Sequence, residues 1–535
     1  MIDLSIDFDD VRSRIKLSDT GIRVGKSHLD IYQHRLVEGI IYFNDRKIVA
    51  VSRECSASDD PVTSAIRLEK IANDHELDAI HTEIKSTRLA VATVEIGRST
   101  DNPYVLIYNN HNPQTSLCLC LEESRVIASW NFMAVAKRSN RNIISDDFLA
   151  RWLTLQPKQY NNGTIFKNIH RTTINTETLV TRDKIRISEM DLRVSTYPRQ
   201  LRTPERAQEF LFQMLTETLT RRRLEFGKTA VEVSGGLDSS VVAVAAAAVL
   251  PNPIAASIVV GSDIQNQTTR QGVLARKLGL DHVTVDVWAH LPFAAGSARF
   301  ASLETSYLAE SFYEAFHDLT QILKTRGIDT ILTGMGGDEA FPLFADEADT
   351  SHSVKPLARP SFIRPKTYQL AELPPVTRNF ITSYHGSAAL GVANRAERFL
   401  NQGIWQVNPF LEPEIIQFGS SLPLALRNQR SILSNILAGN GMPEFLDGKP
   451  MSFEPTIPHV ARGIRDLLHQ LLAESVCSEL GLLDPIDLWN TYEDLVSKED
   501  ADEVDELYFV HILYVLQAES FLNMCRKNGI TEIYT

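Results

Sequence analysis

Cysteine is scarce in this chain, basic charge is in the minority, and long apolar runs are missing. The five cysteines among 535 residues are Cys55, Cys118, Cys120, Cys477 and Cys525. Their number is odd and their spacing scattered, and Cys118-Leu119-Cys120 fits no metal or redox motif. Packed thiols in a reducing compartment are expected instead of a disulfide framework. Lys and Arg number 54 against 67 Asp and Glu, a formal charge of −13. That balance speaks against a nucleic-acid partner, which needs a basic surface. It also requires any phosphate site to be locally positive or built from backbone N–H groups. No apolar run approaches the roughly 20 residues that span a bilayer. Even Val241 to Leu250 is too short, and it falls where a buried helix is expected. Met1-Ile2-Asp3-Leu4-Ser5-Ile6-Asp7 has alternating acids and no basic stretch, unlike a signal peptide. A cytoplasmic protein is the expectation.

What is present is an ordinary globular composition, 43% hydrophobic and 23% charged, in a chain long enough for two or three cores. The first third reads as short β-rich runs separated by Asn-, Pro- and Ser-containing turns. These are Ile40 to Phe43, Leu89 to Val94, Tyr104 to Tyr108, Leu117 to Leu121, Val126 to Trp130, Thr164 to Phe166 and Leu179 to Thr181. Asp146 to Trp152 reads as a short helix. Together they predict an antiparallel sandwich over residues 1–197. From Pro198 the pattern changes. Thr203-Pro204-Glu205-Arg206 is a helix start, with Thr as N-cap and Pro at the first position. That helix runs into Arg221-Arg222-Arg223, expected on a solvated face. Strands then alternate with helices: Thr229 to Val233, Asp238 to Leu250, Ile254 to Val260, Gln267 to Leu278, Val283 to Val287, Ala309 to Lys324 and Thr330 to Thr333. Such alternation implies a doubly wound parallel sheet in residues 198–535. Beyond Pro342 the chain reads as mainly helical, with a Ser-, Pro- and charge-rich long loop around Asp349 to Pro375.

One segment carries most of the chemistry. In Val231-Glu232-Val233-Ser234-Gly235-Gly236-Leu237-Asp238-Ser239-Ser240 a strand runs through glycines into an Ala/Val-rich helix. Backbone N–H groups, Ser hydroxyls and a helix N-terminus there form an anion cradle at the carboxyl end of a strand. Gly235 and Gly236 let the backbone approach phosphate oxygens. Asp238 would repel a phosphate directly, so a bridging divalent cation is its natural partner. No Gly-Lys-Ser/Thr follows, which disfavours a Walker site.

This loop resembles the pyrophosphate-binding loop of the ATP pyrophosphatases. Leu332-Thr333-Gly334-Met335-Gly336-Gly337-Asp338-Glu339-Ala340-Phe341 is similar to the synthetase signature of the asparagine synthetase family. Asn408-Pro409-Phe410-Leu411-Glu412 resembles that family's Pro-Phe-Leu-Asp element. Lys449, in Asp447-Gly448-Lys449-Pro450 after Met442-Pro443-Glu444, falls where the family carries a lysine. Cys120 to Ser129 and Asn162 to Ile169 resemble segments of its glutaminase domain. The resemblance implies ATP and Mg2+ as cofactors, with Val233, Ser234, Gly235, Gly236, Leu237, Asp238, Ser239, Ser240 and Gly334 around the nucleotide. It implies Asp238 and Asp338 as metal ligands and Lys449 as a neutraliser of phosphate charge. The fold it implies is α/β: a degenerate Ntn-type β-rich sandwich, then a doubly wound ATP-pyrophosphatase-like synthetase domain with a helical C-terminal part.

Departures from the family pattern narrow the activity. Ile2 stands where a glutamine-dependent member has its nucleophilic Cys, so glutamine hydrolysis by that route is not expected. Family members lacking that Cys close rings: β-lactam and carbapenam synthetases and lasso-peptide macrolactam cyclases. Met335 replaces the Tyr of the first two and the Glu of asparagine synthetase, and Met cannot move a proton. A peptide α-amine, of pKa about 7.7–8.0, needs little help, and Glu339 or Glu397 is the candidate base. The expectation is therefore a lasso-peptide cyclase. It would join an Asp or Glu side chain of a precursor core peptide to the peptide's N-terminus, with a leader peptidase and leader-binding protein as possible partners. The alternatives are an asparagine synthetase-like or β-lactam synthetase-like ligase of a small acid, and a non-catalytic ATP-binding scaffold.

Overall fold

The computed structural model describes residues 1–59, 66–155, 160–189, 203–260, 265–294, 296, 297, 299, 305–308, 310, 312–344, 347, 359–372, 386–443, 456–498 and 503–531. The first 189 residues build two seven-stranded sheets. One is antiparallel throughout, in the order His170–Arg171, Cys118–Glu122, Arg125–Ser129, Ile2–Asp7, Ser27–Ile31, Gly21–Val24 and Ile15–Ser18. The other runs Ile185–Glu189, Thr176–Val180, Tyr104–Asn109, Val91–Gly97, Lys47–Glu54, Val37–Phe43 and Arg67–Lys70, with only the last pair parallel.

Alternation explains the pairing. Ile2, Leu4 and Ile6 are buried while Asp3, Ser5 and Asp7 are not, which is the period of a strand with one face in a core. The two sheets share an apolar interior of Ile2, Leu4, Ile48, Ala50, Val94 and Ile107. Helices cover both outer faces. Asp74–Lys85 packs Leu77 and Ile84 on one side. Phe132–Arg138 and Asp146–Leu153 cover the other, where they meet the long C-terminal helix Glu503–Lys527.

Residues Thr164 to Phe166 are not a strand. The Thr164 hydroxyl donates to the carbonyls of Phe166 and Ile169 at 2.9 and 2.8 Å and so holds the segment as a turn. The helix start at Thr203 is a 3-10 turn, Pro204–Arg206, that leads into Ala207–Thr220, and Thr203 makes no side-chain cap bond.

The second half contains a five-stranded parallel sheet in the order His282–Asp286, Ile254–Val259, Thr229–Glu232, Thr330–Leu332, Trp405–Val407. Helices Leu237–Val249 and Gln265–Leu278 lie on one face, and Tyr313–Thr325 and Gly386–Asn401 on the other. This is the doubly wound α/β fold. Its strand order reverses between Thr229–Glu232 and Thr330–Leu332, the place where ligands of such sheets bind. Within the stretch expected as a long loop, Pro365–Glu372 is a helix; most of the rest lies outside the described residues.

The halves are joined by polar as well as apolar contacts. Arg35 donates to both carboxylate oxygens of Asp329, at 3.0 and 2.8 Å. Arg222, expected on a solvated face, is instead buried between Glu54 of the sandwich and Glu412 of the second half. Trp405 donates its indole N–H to the same Glu54 at 3.1 Å. All five cysteines are buried and unbridged, as expected. Among the described residues no helix is long and apolar enough to cross a membrane.

Candidate active site

Both glycine-rich loops leave the sheet at its switch point. The first follows Thr229–Glu232, where Val233 is still bonded into the sheet through its N–H to the Ala256 carbonyl at 2.8 Å. Gly235 then takes φ +81°, a left-handed value that favours glycine. Gly236 serves as N-cap of Leu237–Val249 without any side-chain cap, so the free N–H groups of the first turn face the loop. The hydroxyls stiffen the turn from within. Ser234 and Ser239 Oγ lie 2.8 Å apart, Ser239 Oγ accepts from the Ser234 N–H at 3.1 Å, and Ser240 donates to the Gly236 carbonyl at 2.6 Å.

The second loop is pressed against the first. A Cβ on Gly334 would lie 2.5 Å from the backbone nitrogen of Ser239, and one on Gly337 would lie 2.3 Å from Cγ of Asp238. The glycines of the Thr333 to Asp338 segment are therefore required because the other loop occupies the space a side chain would fill. Gly336 has φ +95°, and a Cβ there would strike Leu411 at 2.6 Å. Leu411 belongs to the 3-10 turn Pro409–Leu411, whose preceding Asn408 accepts a 2.7 Å hydrogen bond from Thr333.

This contact brings Asp238 and Asp338 together. Arg430 Nη1 lies 2.6 Å from Asp238 Oδ2 and 2.7 Å from Asp338 Oδ1. The two carboxylates differ in setting, with side-chain exposures of 17% for Asp238 and 72% for Asp338. Burial raises the pKa of Asp238 from 3.8 to about 7, against the opposing pull of Arg430 and with Asp338 and Glu339 adding to the rise. Its Oδ1 has no hydrogen-bond partner among the described residues. Converging hard oxygens, one of them orphaned, suit a divalent cation such as Mg2+.

The two loops, the two aspartates and the serines lie together. Arg430 is the residue that sequence reasoning missed. It and Gln429 have φ of +55° and +50°, an uncommon backbone for non-glycine residues and of the kind held at functional sites. The other candidates are placed differently from one another. Glu339 accepts a hydrogen bond from the Ser387 hydroxyl at the start of helix Gly386–Asn401. Glu397, on the same helix, is buried, and burial raises its pKa to about 8. No described contact joins Glu397 to either loop. Lys449 lies outside the described residues. Met335 packs with Ala388, Val392 and Leu411, and its Cε would lie 2.5 Å from a Cβ on Gly391. Its position is apolar packing.

Residues 211–398 match the asparagine synthase family, a span that holds both loops and both aspartates. Over that span the chain is similar to the asparagine synthase family. Members of that family are ATP-dependent, amide-forming ligases. No curated protein matches the chain. The matched span closes inside helix Gly386–Asn401, so Arg430 and the Pro409–Leu411 turn lie beyond it.

Proposed function

We propose that the chain forms a macrolactam. It adenylates a side-chain carboxylate of a precursor peptide and passes the acyl group to the peptide's own N-terminal amine. The observation that carries the ligase part is the interlocking of two glycine loops at the switch point, with Asp238 and Asp338 drawn to one centre. A carboxylate is a poor acyl donor, and adenylation supplies a leaving group. The substrate carboxylate oxygen attacks the α-phosphorus of ATP, and the bond to the β-phosphate oxygen breaks. Ser234, Gly235, Gly236 and Ser239, with the N–H groups that follow, hold the departing pyrophosphate through a preorganised cradle. Gly334 shapes the cradle's other wall. The amine then attacks the acyl carbon, AMP leaves with the bonding pair, and the amine proton is lost to a base.

Mg2+ held by Asp238 and Asp338 would neutralise phosphate charge, and Arg430 supplies positive charge between the same two carboxylates. Lys449, by its place after Met442-Pro443-Glu444, would add a further cation at the α-phosphate. The packing of Met335 against Gly391 supports an amine that needs no dedicated base at that position, as a peptide α-amine of pKa about 7.7–8.0 does not. Glu339, anchored by Ser387, is the remaining candidate base beside Asp338.

The test is mass spectrometry of a candidate core peptide, with Gly first and an Asp or Glu a ring's length on, incubated with enzyme, ATP and Mg2+. Loss of one water and release of AMP are expected. Asp238→Ala and Lys449→Ala should each abolish both while leaving the protein folded. Turnover of ATP with every such peptide left linear would sink the macrolactam assignment. The family match favours one second reading, amidation of a small acid. Asparagine formed from aspartate, ammonia and ATP would select it.

A further inference from the structure

A second polar centre lies between helices Tyr313–Thr325 and Gly386–Asn401, outside the two loops. A cavity of about 40 Å³ opens there, lined by Thr305, Ser306, Glu310, Asn394, Glu397 and Arg398 among others. By volume it holds about three water-sized groups. Its walls are deficient in partners. Thr305 Oγ1, Asn394 Oδ1, Glu397 Oε1 and both Nε and Nη2 of Arg398 are buried without a hydrogen-bond partner among the described residues. Thr305, Glu397 and Arg398 are 5%, 8% and 7% exposed. One orphaned polar atom costs about 1–3 kcal/mol, and native proteins leave few. Five around one cavity mark a place with room for a polar ligand.

Charge specifies the partner. Arg395 pairs with Glu232 and Glu310, each at 3.0 Å, and Arg398 pairs with Glu310. Arg171 acts on Glu397 from the sandwich side and donates to the Tyr307 hydroxyl at 3.0 Å. Burial holds Glu397 near pKa 8 and pulls Arg398 down to about 9. Of the lining groups, Arg398 pairs with Glu310 through Nη1 alone, so its Nε and Nη2 remain as two adjacent donors that suit an anionic acceptor. The free edge of Arg398, Nε with Nη2, has the spacing of a carboxylate's two oxygens.

We propose that this cavity is a carboxylate-binding subsite in which Arg398 grips both oxygens, the Thr305 hydroxyl donates to one of them, and Asn394 Oδ1 accepts from an N–H beside the carboxylate. The ligand class is the carboxyl end of an amino acid or peptide. Arg395 ties the cavity to Glu232, two residues before Ser234, so the subsite adjoins the nucleotide loop. Binding there stands by itself; its use in choosing the substrate rests on the ligase reading.

The test is calorimetric titration of the full chain with N-acetylglycine, acetate and acetamide. N-acetylglycine should bind, acetate more weakly because it offers no N–H, and neutral acetamide not at all. Arg398→Gln should weaken N-acetylglycine by about tenfold or more, the equivalent of losing one charged hydrogen-bond pair. Thr305→Val, which keeps shape and leaves the ion pairs intact, should weaken it about fivefold. If neither carboxylate binds the wild-type chain, water fills the cavity and the proposal fails. It fails equally if a folded Thr305→Val and a folded Arg398→Gln both bind N-acetylglycine like wild type. Pyrophosphate exchange into ATP, run in parallel with the candidate core peptide as the acid, separates this from the ligase reading. Exchange without carboxylate binding removes only the subsite, and carboxylate binding without exchange removes only the ligase.

Discussion

Replacing Gly334 by alanine probes the interlocked loops with a single methyl group. An ideal Cβ there lies 2.5 Å from Ser239 N, 2.8 Å from Ser239 Cα and 2.9 Å from the Asp238 carbonyl carbon. All three are backbone atoms, so no side chain can swing aside. Ordinary contact begins near 3.4 Å, and the loops must part by about 1 Å to reach it. Overpacking of this kind costs about 1–3 kcal/mol, less than the roughly 5–15 kcal/mol of stability typical of a native protein. Displacing a reacting group by about 1 Å costs about 10²-fold in rate. Gly334→Ala should therefore remain folded, melt somewhat lower, and lose about 10²-fold in the pyrophosphate exchange into ATP that the core peptide supports. The control is Gly439→Ala. Gly439 ends helix Ser431–Gly439 with nothing within 4 Å of its Cβ position, so alanine should leave exchange unchanged and stability equal or slightly higher. A Gly334→Ala protein with wild-type exchange would refute the claim that contact between the loops builds the site.

Three other outcomes follow from the same structure. Asp238→Asn removes a charge that burial disfavours, so the variant should melt no lower than wild type while losing at least about 10²-fold in exchange; a lower melt with retained exchange contradicts this. Burial alone would raise Glu412, but Arg222 and His111 hold it at about 2, below its ordinary 4.5. Because the folded pKa is the lower one, its contribution is present above about 4.5 and lost as pH falls towards about 2. That loss amounts to about 3 kcal/mol. Urea melts between these limits should show it, and Glu412→Gln should abolish that part of the slope. Burial pushes Cys55 and Cys120 up to about 12 and Cys118 to about 11. None of the five thiols should react with iodoacetamide near neutral pH until the chain is unfolded, whereas rapid labelling of the native protein would contradict their packing.

The sequence made the two loops legible because their residues are locally determined. Glycines, serines and an acid after an apolar strand leave few other conformations, and strand–helix alternation set the parallel sheet around them. Contacts between distant segments left no local trace. Arg430 reaches Asp238 across 192 positions, and its left-handed backbone follows from no glycine or asparagine at that position. The partners of Arg222 are 168 and 190 residues away, so a run of three arginines looked like a solvated face. Met335 was readable as unable to transfer a proton. Its packing partner Gly391 was not, since a glycine inside a helical pattern has several causes. Ile2–Asp7 alternates as a strand does, and its acids, which set it apart from a signal peptide, occupy the less buried positions of that alternation.

The central claim is that two glycine loops and two aspartates form an ATP site, and equilibrium titration of the full chain with ATP and Mg2+ tests it most directly. The account predicts saturable one-to-one binding that weakens sharply in Gly334→Ala. Absence of nucleotide binding by the folded wild-type chain would contradict it.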